Sequence, residues 1–268
     1  MRLYWEVVRV TARRMRTYRA ATFAGVVTNT VFGYILAYVL LAAVRDGPVE
    51  SVGAGAFGTR DAATFTFVAQ GLLVAVGVMG TTMEMAERVK SGEVALDLAR
   101  PYDYQGWWAA VAYGRAVFYL WARGIAPFLL GALAFDLRLP PEAWLWPAFL
   151  LAVALAIGLA FAWGFLLQMT AFWIVDVRGP NQLGWVSAQL LAGTFVPLAL
   201  VPDDAERLVR LLPFASMIQV PVEVYLGMHR GQDLLAAYGV ALAWLAVLVA
   251  AGRLVLARAE RRVVVDGG

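Results

Sequence analysis

Few residues of this chain could do covalent or metal chemistry. There is no cysteine and one histidine, His229, which excludes a disulfide framework, a thiol nucleophile and a cysteine metal site. No cluster of metal-site spacing surrounds His229, so we expect a surface or loop histidine. The sequence contains no G-x-x-x-x-G-K-[ST], H-E-x-x-H or nucleophile-elbow motif, so it predicts no catalytic site, no metal site and no cofactor bound by this chain.

The run "GAGAFG" at 53–58 matches the dinucleotide template G-x-G-x-x-G. That template needs a preceding strand and a following helix in a strand–helix–strand unit. Here the run lies between two long apolar segments. We therefore interpret its glycines as flexible turns in a loop.

Charge is concentrated at residues 83–105, "MEMAERVKSGEVALDLARPYDYQ". The pattern predicts a short amphipathic helix, a break at Ser91–Gly92, a second amphipathic turn and a stop at Pro101. Met83, Val89 and Leu96 can face protein, while Glu87, Arg88, Lys90 and Glu93 offer both signs of charge. The candidate contact residues are Glu87, Arg88, Lys90, Ser91, Gly92, Glu93 and Arg100. The alternative is a solvated loop that carries positive charge.

A few polar residues interrupt the apolar segments and could mark a transport path. Asn29, Gln70 and Gln189 are candidates for a polar seam, with helix–helix hydrogen bonding as the alternative. Arg115 can reach the membrane interface, and Arg123, which is deeper, is expected to pair within the protein or to line a path. No Asp or Glu lies mid-segment, which disfavours an ion-coupled carrier.

The elements that hold these residues are membrane helices. The chain has 268 residues, 62% of them hydrophobic and 15% charged, against about 25% charge in soluble domains. The sequence predicts an all-α integral membrane protein with one domain, 1–268. The arginines are dispersed, which does not favour nucleic-acid binding. Six segments are long enough to span: 20–44, 62–82, 106–135, 143–175, 182–200 and 233–257.

Basic residues are most frequent at both termini, in 83–105 and in 176–181, so these segments are expected in the cytoplasm. Residues 1–19 suit an interfacial helix, with Arg2, Arg9 and Arg13 on one face, although Arg14 breaks the pattern. A basic anchor without fixed structure is the alternative. Residues 201–232 are too polar to span; Pro202 can start a helix, and two short re-entrant helices fit best.

These features, in this order, resemble the export-type permeases of ABC transporters, the ABC type-2 superfamily. The likeness rests on the six spans, the basic N-terminal helix, "ERVKSGEVALDLARPYDY" after the second span and "LPFASMIQVPVEVYLG" at 212–227 before the last. Within the superfamily the chain is most similar to permeases that pair with a second permease and a separate ATPase.

The resemblance implies a permease subunit of an ATP-driven exporter in the bacterial cytoplasmic membrane. It would place 83–105 as a coupling helix in a groove of an ABC ATPase dimer, with ATP and Mg²⁺ on that partner. A second permease, identical or related, and membrane lipids would be the other partners. Parts of spans one, two and five would line the path. A secondary carrier or channel not driven by ATP is the alternative function.

Overall fold

The computed structural model describes residues 2–51, 55–80, 83–174 and 176–266, with side chains described up to Arg261. Within these ranges the chain is mostly helical. The α-helices are α1 Arg2–Met15, α2 Arg19–Ala43, α3 Thr59–Leu72, α4 Glu84–Lys90, α5 Val94–Leu98, α6 Tyr104–Tyr119, α7 Ile125–Gly131, α8 Leu145–Met169, α9 Arg178–Leu191, α10 Asp203–Arg210, α11 Gln219–Leu226 and α12 Gly231–Asp266.

Three helices in the described residues are long and apolar enough to cross a membrane: Arg19–Ala43, Leu145–Phe172 and Gly231–Arg261. The second lies at the centre, since 61% of its most apolar stretch is buried within the protein. The third has only 11% of that stretch buried. The chain is therefore a helical membrane protein in which α8 is the core helix and α12 presents an apolar outer surface.

Two of the predicted apolar segments contain a widened helical turn. Residues Leu73–Gly77 continue α3, and residues Leu120–Gly124 join α6 to α7. Gly71 and Gly124 bring these two segments together, because a Cβ added at Gly71 would lie 3.0 Å from the Cα of Gly124. Only glycine permits such close backbone contact between helices.

Helix α2 packs through a stripe of small residues. Gly25, Asn29, Gly33, Ala37 and Leu40 are its buried positions, and they recur every three or four residues. That spacing puts them on one helix face. A Cβ at Gly33 would come within 2.8 Å of the Phe67 ring, so α2 and α3 approach closely through this stripe.

The loop expected at 53–58 is partly wrong. Strand β1, Val49–Ser51, pairs antiparallel with β2, Gly55–Phe57, in the register Val49↔Phe57. Residues 53 and 54 lie outside the described residues. Phe57 is buried, which anchors the hairpin on the helices. Dinucleotide-binding glycines lie in a strand–helix–strand unit, not in an antiparallel hairpin. The structure therefore also excludes a dinucleotide-binding role for the glycines of 53–58.

Residues 201–232 form two short helices, as the sequence predicts. Helix α10 starts directly after Pro202 and has Asp203, Asp204 and Glu206 in its first turn. Carboxylates at this end of a helix interact favourably with the helix dipole. Helix α11 ends at Gly227, which has φ +75°, a conformation suited to glycine. Because α11 packs on α8 and α3, this segment closes one end of the bundle.

A buried ionic network joins α10 and α11. Both oxygens of the Glu223 carboxylate accept hydrogen bonds from Arg210, at 2.9 and 2.6 Å, and one also accepts from Gln219 at 2.8 Å. Arg210 also bonds Glu206 on its own helix at 2.8 Å. His229 lies 2.8 Å from Glu223 and is 4% exposed. His229 therefore lies in a loop, as expected, but it is buried and not at the surface.

Candidate functional site

The charged stretch after α3 folds as two short helices separated by a turn. Helices α4 and α5 flank Ser91–Gly92, where Gly92 has φ +78° and open space on its Cβ side. This conformation is strained for other residues, so glycine permits the sharp reversal. The break predicted at Ser91–Gly92 is present, and we call Glu84–Leu98 the α4–α5 hairpin.

Buried apolar residues fix the hairpin to the bundle. Met85 and Val94 pack in one cluster with Phe165, Met169 and Leu256, so both helices rest on α8 and α12. The backbone N–H of Ala86 donates to the Gln168 side chain at 3.4 Å. The inner side of the hairpin is therefore packed into the folded core.

Arg88 braces the hairpin from within. Its guanidinium donates two hydrogen bonds to the Asp97 carboxylate, from Nε and, at 2.9 Å, from Nη2, and it lies 3.0 Å from Glu93. The bond to Asp97 raises the pKa of Arg88 above its usual value. The sequence predicts Arg88 as a candidate contact residue. In the structure its guanidinium N–H groups bond to side chains of the same chain. Asp97, which the sequence does not single out, is its buried partner.

The outward face of the hairpin carries both signs of charge. Its exposed members among the candidate residues are Glu87, Lys90, Ser91, Gly92 and Glu93, and Arg100, also exposed, follows two residues after its end. Leu96 is 67% exposed beside them, whereas Val89 packs against the protein's own core. An exposed leucine on a segment with exposed acids and bases is suited to contact with another protein, because it combines an apolar anchor with charged groups that orient it.

Arg115 connects α6 to this site. Its Nη2 donates to Glu84 at 2.6 Å. Arg115 therefore reaches the end of the bundle where α4 lies, in line with its predicted position near the interface. Glu84, which the sequence does not identify as its partner, ties the first turn of the α4–α5 hairpin to α6.

The polar residues of α2, α3 and the widened turn after α6 meet inside the chain. Asn29 donates from its side-chain amide to the backbone carbonyl of Gln70 at 2.9 Å, and its side-chain oxygen accepts from Arg123 at 3.2 Å. Arg123 also lies over Tyr119, 5.9 Å from the ring centroid. Its guanidinium fills the space beside Gly25, where an added Cβ would come within 2.2 Å.

This arrangement changes two sequence-based interpretations. Arg123 is held by contacts within the protein and lies at the seam with Asn29. Asn29 uses both ends of its amide inside the chain, which is the helix-joining alternative. Gln189 is half-buried on α9, and no hydrogen bond between described residues joins it to Asn29 or Gln70.

No metal-binding group of three or more His, Cys, Asp or Glu side chains is found among the described residues. The described residues instead form a helical bundle with a braced, charged hairpin at one end.

Comparison with known proteins agrees with that architecture. The family model described as "ABC-2 family transporter protein" matches residues 20–267. Searches of curated proteins and of solved structures found no significant match. The family match covers every long helix and the α4–α5 hairpin, and so the chain belongs to the ABC-2 family of transporters, as a membrane permease component.

Proposed function

We propose that this chain is the permease subunit of an ATP-driven exporter and that the α4–α5 hairpin docks on a separate ATPase dimer, which holds ATP and Mg²⁺. The observation that carries the proposal is the construction of the hairpin. Arg88 and Asp97 brace it, Met85 and Val94 anchor it to α8 and α12, and its outer face presents Leu96 with charges of both signs.

The membrane arrangement is part of the same proposal. Six spans are formed by α2, α3 with its widened turn, α6 with α7, α8, α9 and α12. Both termini lie in the cytoplasm of a bacterial cell, α1 lies in the membrane interface as an elbow helix, and α10–α11 form a re-entrant hairpin on the outer side. The concentration of arginine in α1 supports this orientation.

The working unit would contain two permeases, identical or related, with the path between them. The apolar outer surface of α12, of which little is buried in one chain, is available to a second permease or to lipid. Gln189 is the better candidate for the path, because it is half-exposed, whereas Asn29 and Gln70 are each at most 5% exposed.

Charge reversal on the outer face tests the docking. Replacing Glu87 and Glu93 with Lys should reduce co-purification with the ATPase about tenfold or more, because two favourable contacts become repulsive. Asp46→Lys with Glu50→Lys is the matched control: both acids are exposed, the charge change is the same, and they lie in the α2–α3 connection.

The measurement is the amount of ATPase retained by each tagged permease variant, together with substrate-stimulated ATP hydrolysis. If the two double variants retain equal amounts of ATPase, the docking surface does not lie on the α4–α5 hairpin. Transport by the purified chain in vesicles without any ATPase would instead support the carrier or channel alternative.

A further inference from the structure

A cavity of about 830 Å³ lies between α1, α6 and the segment that joins α3 to α4. One face of α1 forms a wall of it, through Leu3, Val7, Val10 and Arg14. These residues are three or four positions apart, so they share a helix face. The volume is within the range of about 300–1,000 Å³ typical of small-molecule sites.

The far wall of the cavity is apolar. Val111, Ile157 and Phe161 belong to it, so an alkyl chain there would leave water or lipid for a protein interior. An acyl chain in the cavity would pack against these side chains much as it packs against lipid tails, which makes the cavity suited to the hydrocarbon part of an amphiphile.

A polar groove of about 520 Å³ adjoins the cavity. Three residues line both spaces: Arg14, Glu84 and Trp108. The remaining groove residues come from the α4–α5 hairpin and include Glu87, Arg88 and Ser91. An apolar space that shares a rim with a charged groove has the shape of a site for a molecule with a tail and a polar head.

Most charges of the groove are already paired. Glu84 bonds Arg115 at 2.6 Å, and Arg88 lies 3.0 Å from Glu93. Within the part of the chain whose side chains are described, no ion pair engages Arg14 or Glu87. One cation and one anion, both exposed, therefore face the groove and are available to a ligand.

We propose that the cavity and groove bind a phosphatidylethanolamine molecule. Its phosphate accepts hydrogen bonds from the Arg14 guanidinium, its ammonium group donates to the Glu87 carboxylate, and an acyl chain occupies the cavity. Charge-assisted hydrogen bonds of this kind are the strong ones, and guanidinium matches phosphate geometry. This site also explains why Arg14 departs from the basic face of α1: it points towards the groove.

The headgroup chemistry separates this lipid from its relatives. Phosphatidylcholine carries a quaternary ammonium without N–H groups, so it cannot donate to Glu87. Phosphatidylglycerol offers the phosphate for Arg14 but no cation for Glu87. The arrangement of one free cation and one free anion therefore selects a zwitterion with N–H donors.

Lipid titration of the purified, delipidated full chain tests the proposal, with retention measured by native mass spectrometry. The three lipids carry identical acyl chains. Phosphatidylethanolamine should bind about tenfold more tightly than the other two.

Arg14→Gln should weaken the binding of both phosphatidylethanolamine and phosphatidylglycerol about tenfold. Glu87→Gln should weaken only phosphatidylethanolamine. Arg13→Gln and Lys90→Gln are matched controls, because both residues are exposed neighbours that do not line the groove.

A further variant tests the placement of the acyl chain in the cavity without changing the charge of the protein. Val10 is 59% exposed and lines the cavity, so Val10→Trp should occupy part of it and weaken all three lipids. Equal binding of phosphatidylethanolamine and phosphatidylcholine to the unmodified chain, or equal loss in Arg14→Gln and Arg13→Gln, would overturn the proposal. Unchanged binding in Val10→Trp would overturn the placement of the chain in the cavity.

Glu87 also belongs to the surface proposed to meet the ATPase. The lipid measurement uses the permease alone, so its result does not depend on docking. A chain that binds phosphatidylethanolamine but retains no ATPase would refute the docking proposal only, and the reverse outcome would refute the lipid site only.

Discussion

Arg88 and Arg123 both donate to side chains within the chain. The sequence predicts that such arginines need partners, because a charge in or near a membrane is costly unless paired. The sequence does not predict which residues those partners are. Asp97 is nine residues from Arg88 across a turn, and Asn29 is 94 residues from Arg123. Sequence spacing identifies only pairs three or four residues apart on one helix, so the bracing of the α4–α5 hairpin becomes visible only in the fold.

Glu223 is expected to be the most sensitive carboxylate of the chain. It is 1% exposed and accepts from Arg210, Gln219 and His229. Burial alone would raise its pKa, but the hydrogen bonds from Arg210 and His229 and their charges lower the pKa to about 2. Glu223→Gln should therefore cost about 3–5 kcal/mol, since it leaves Arg210 buried with one carboxylate fewer.

The pH dependence of this effect has a defined direction. A carboxylate whose pKa is lower in the folded state stabilises the protein above its unfolded pKa, about 4.3, and loses that contribution as the pH falls towards 2. Thermal unfolding in detergent at pH 7, 5 and 3.5 should show a gap between the unmodified chain and Glu223→Gln that narrows below pH 4.3. Exposed Glu50→Gln is the control, and a gap independent of pH would contradict the assignment.

At the scale of elements, hydropathy predicted six long apolar segments; the described residues contain three helices long and apolar enough to cross a membrane, and the interruptions were not predicted. The predicted span 20–44 corresponds to Arg19–Ala43, and the pause at Gly92 follows from glycine chemistry. The widened turn at Leu120–Gly124 falls inside the predicted segment 106–135, and the presence of Arg123 and Gly124 there does not by itself specify a widened turn. It adjoins the close contact between Gly71 and Gly124, which depends on a neighbour distant in sequence.

That helix contact can be tested with a pair of glycines. Gly71→Ala would put a Cβ 3.0 Å from the Gly124 Cα, against backbone that cannot rotate away, whereas a Cβ at Gly239 on α12 meets nothing within 4 Å. Both substitutions gain the same helix propensity, about 1 kcal/mol. Gly71→Ala should therefore be less stable than Gly239→Ala, and Gly71→Val should lose about 1–3 kcal/mol through overpacking.

Thermal unfolding of the purified variants in one detergent provides the comparison. Because both sites lie within helices, the difference between the two alanine variants isolates the packing cost from the change in backbone freedom. Equal melting temperatures for Gly71→Val and Gly239→Val would show that α3 and the widened turn can separate without loss.

On the scale of the whole molecule, the two ends of the bundle differ in character. One end carries α1, with its arginines, and the exposed α4–α5 hairpin. The other carries the α10–α11 segment, which is closed by the buried network around Glu223. Helix α8 lies buried between them. The sequence predicts this polarity from the distribution of arginine, but not the network that seals the second end, because its members come from separate segments.

The proposed orientation makes a prediction that needs no assumption about substrate. The chain has no native cysteine, so one introduced thiol is the only site for a maleimide. Asp204 has a side chain 97% exposed on α10, and Lys90 is exposed on α4. In intact cells, an impermeant maleimide should label Asp204→Cys and leave Lys90→Cys unlabelled until the membrane is permeabilised. Lys90 makes no ion pair with any residue whose side chain is described, so its replacement should leave the bracing pair of Arg88 and Asp97 intact. Labelling of Lys90→Cys from outside would place the hairpin where no cytoplasmic ATPase could reach it, and the coupling proposal would fail with the orientation.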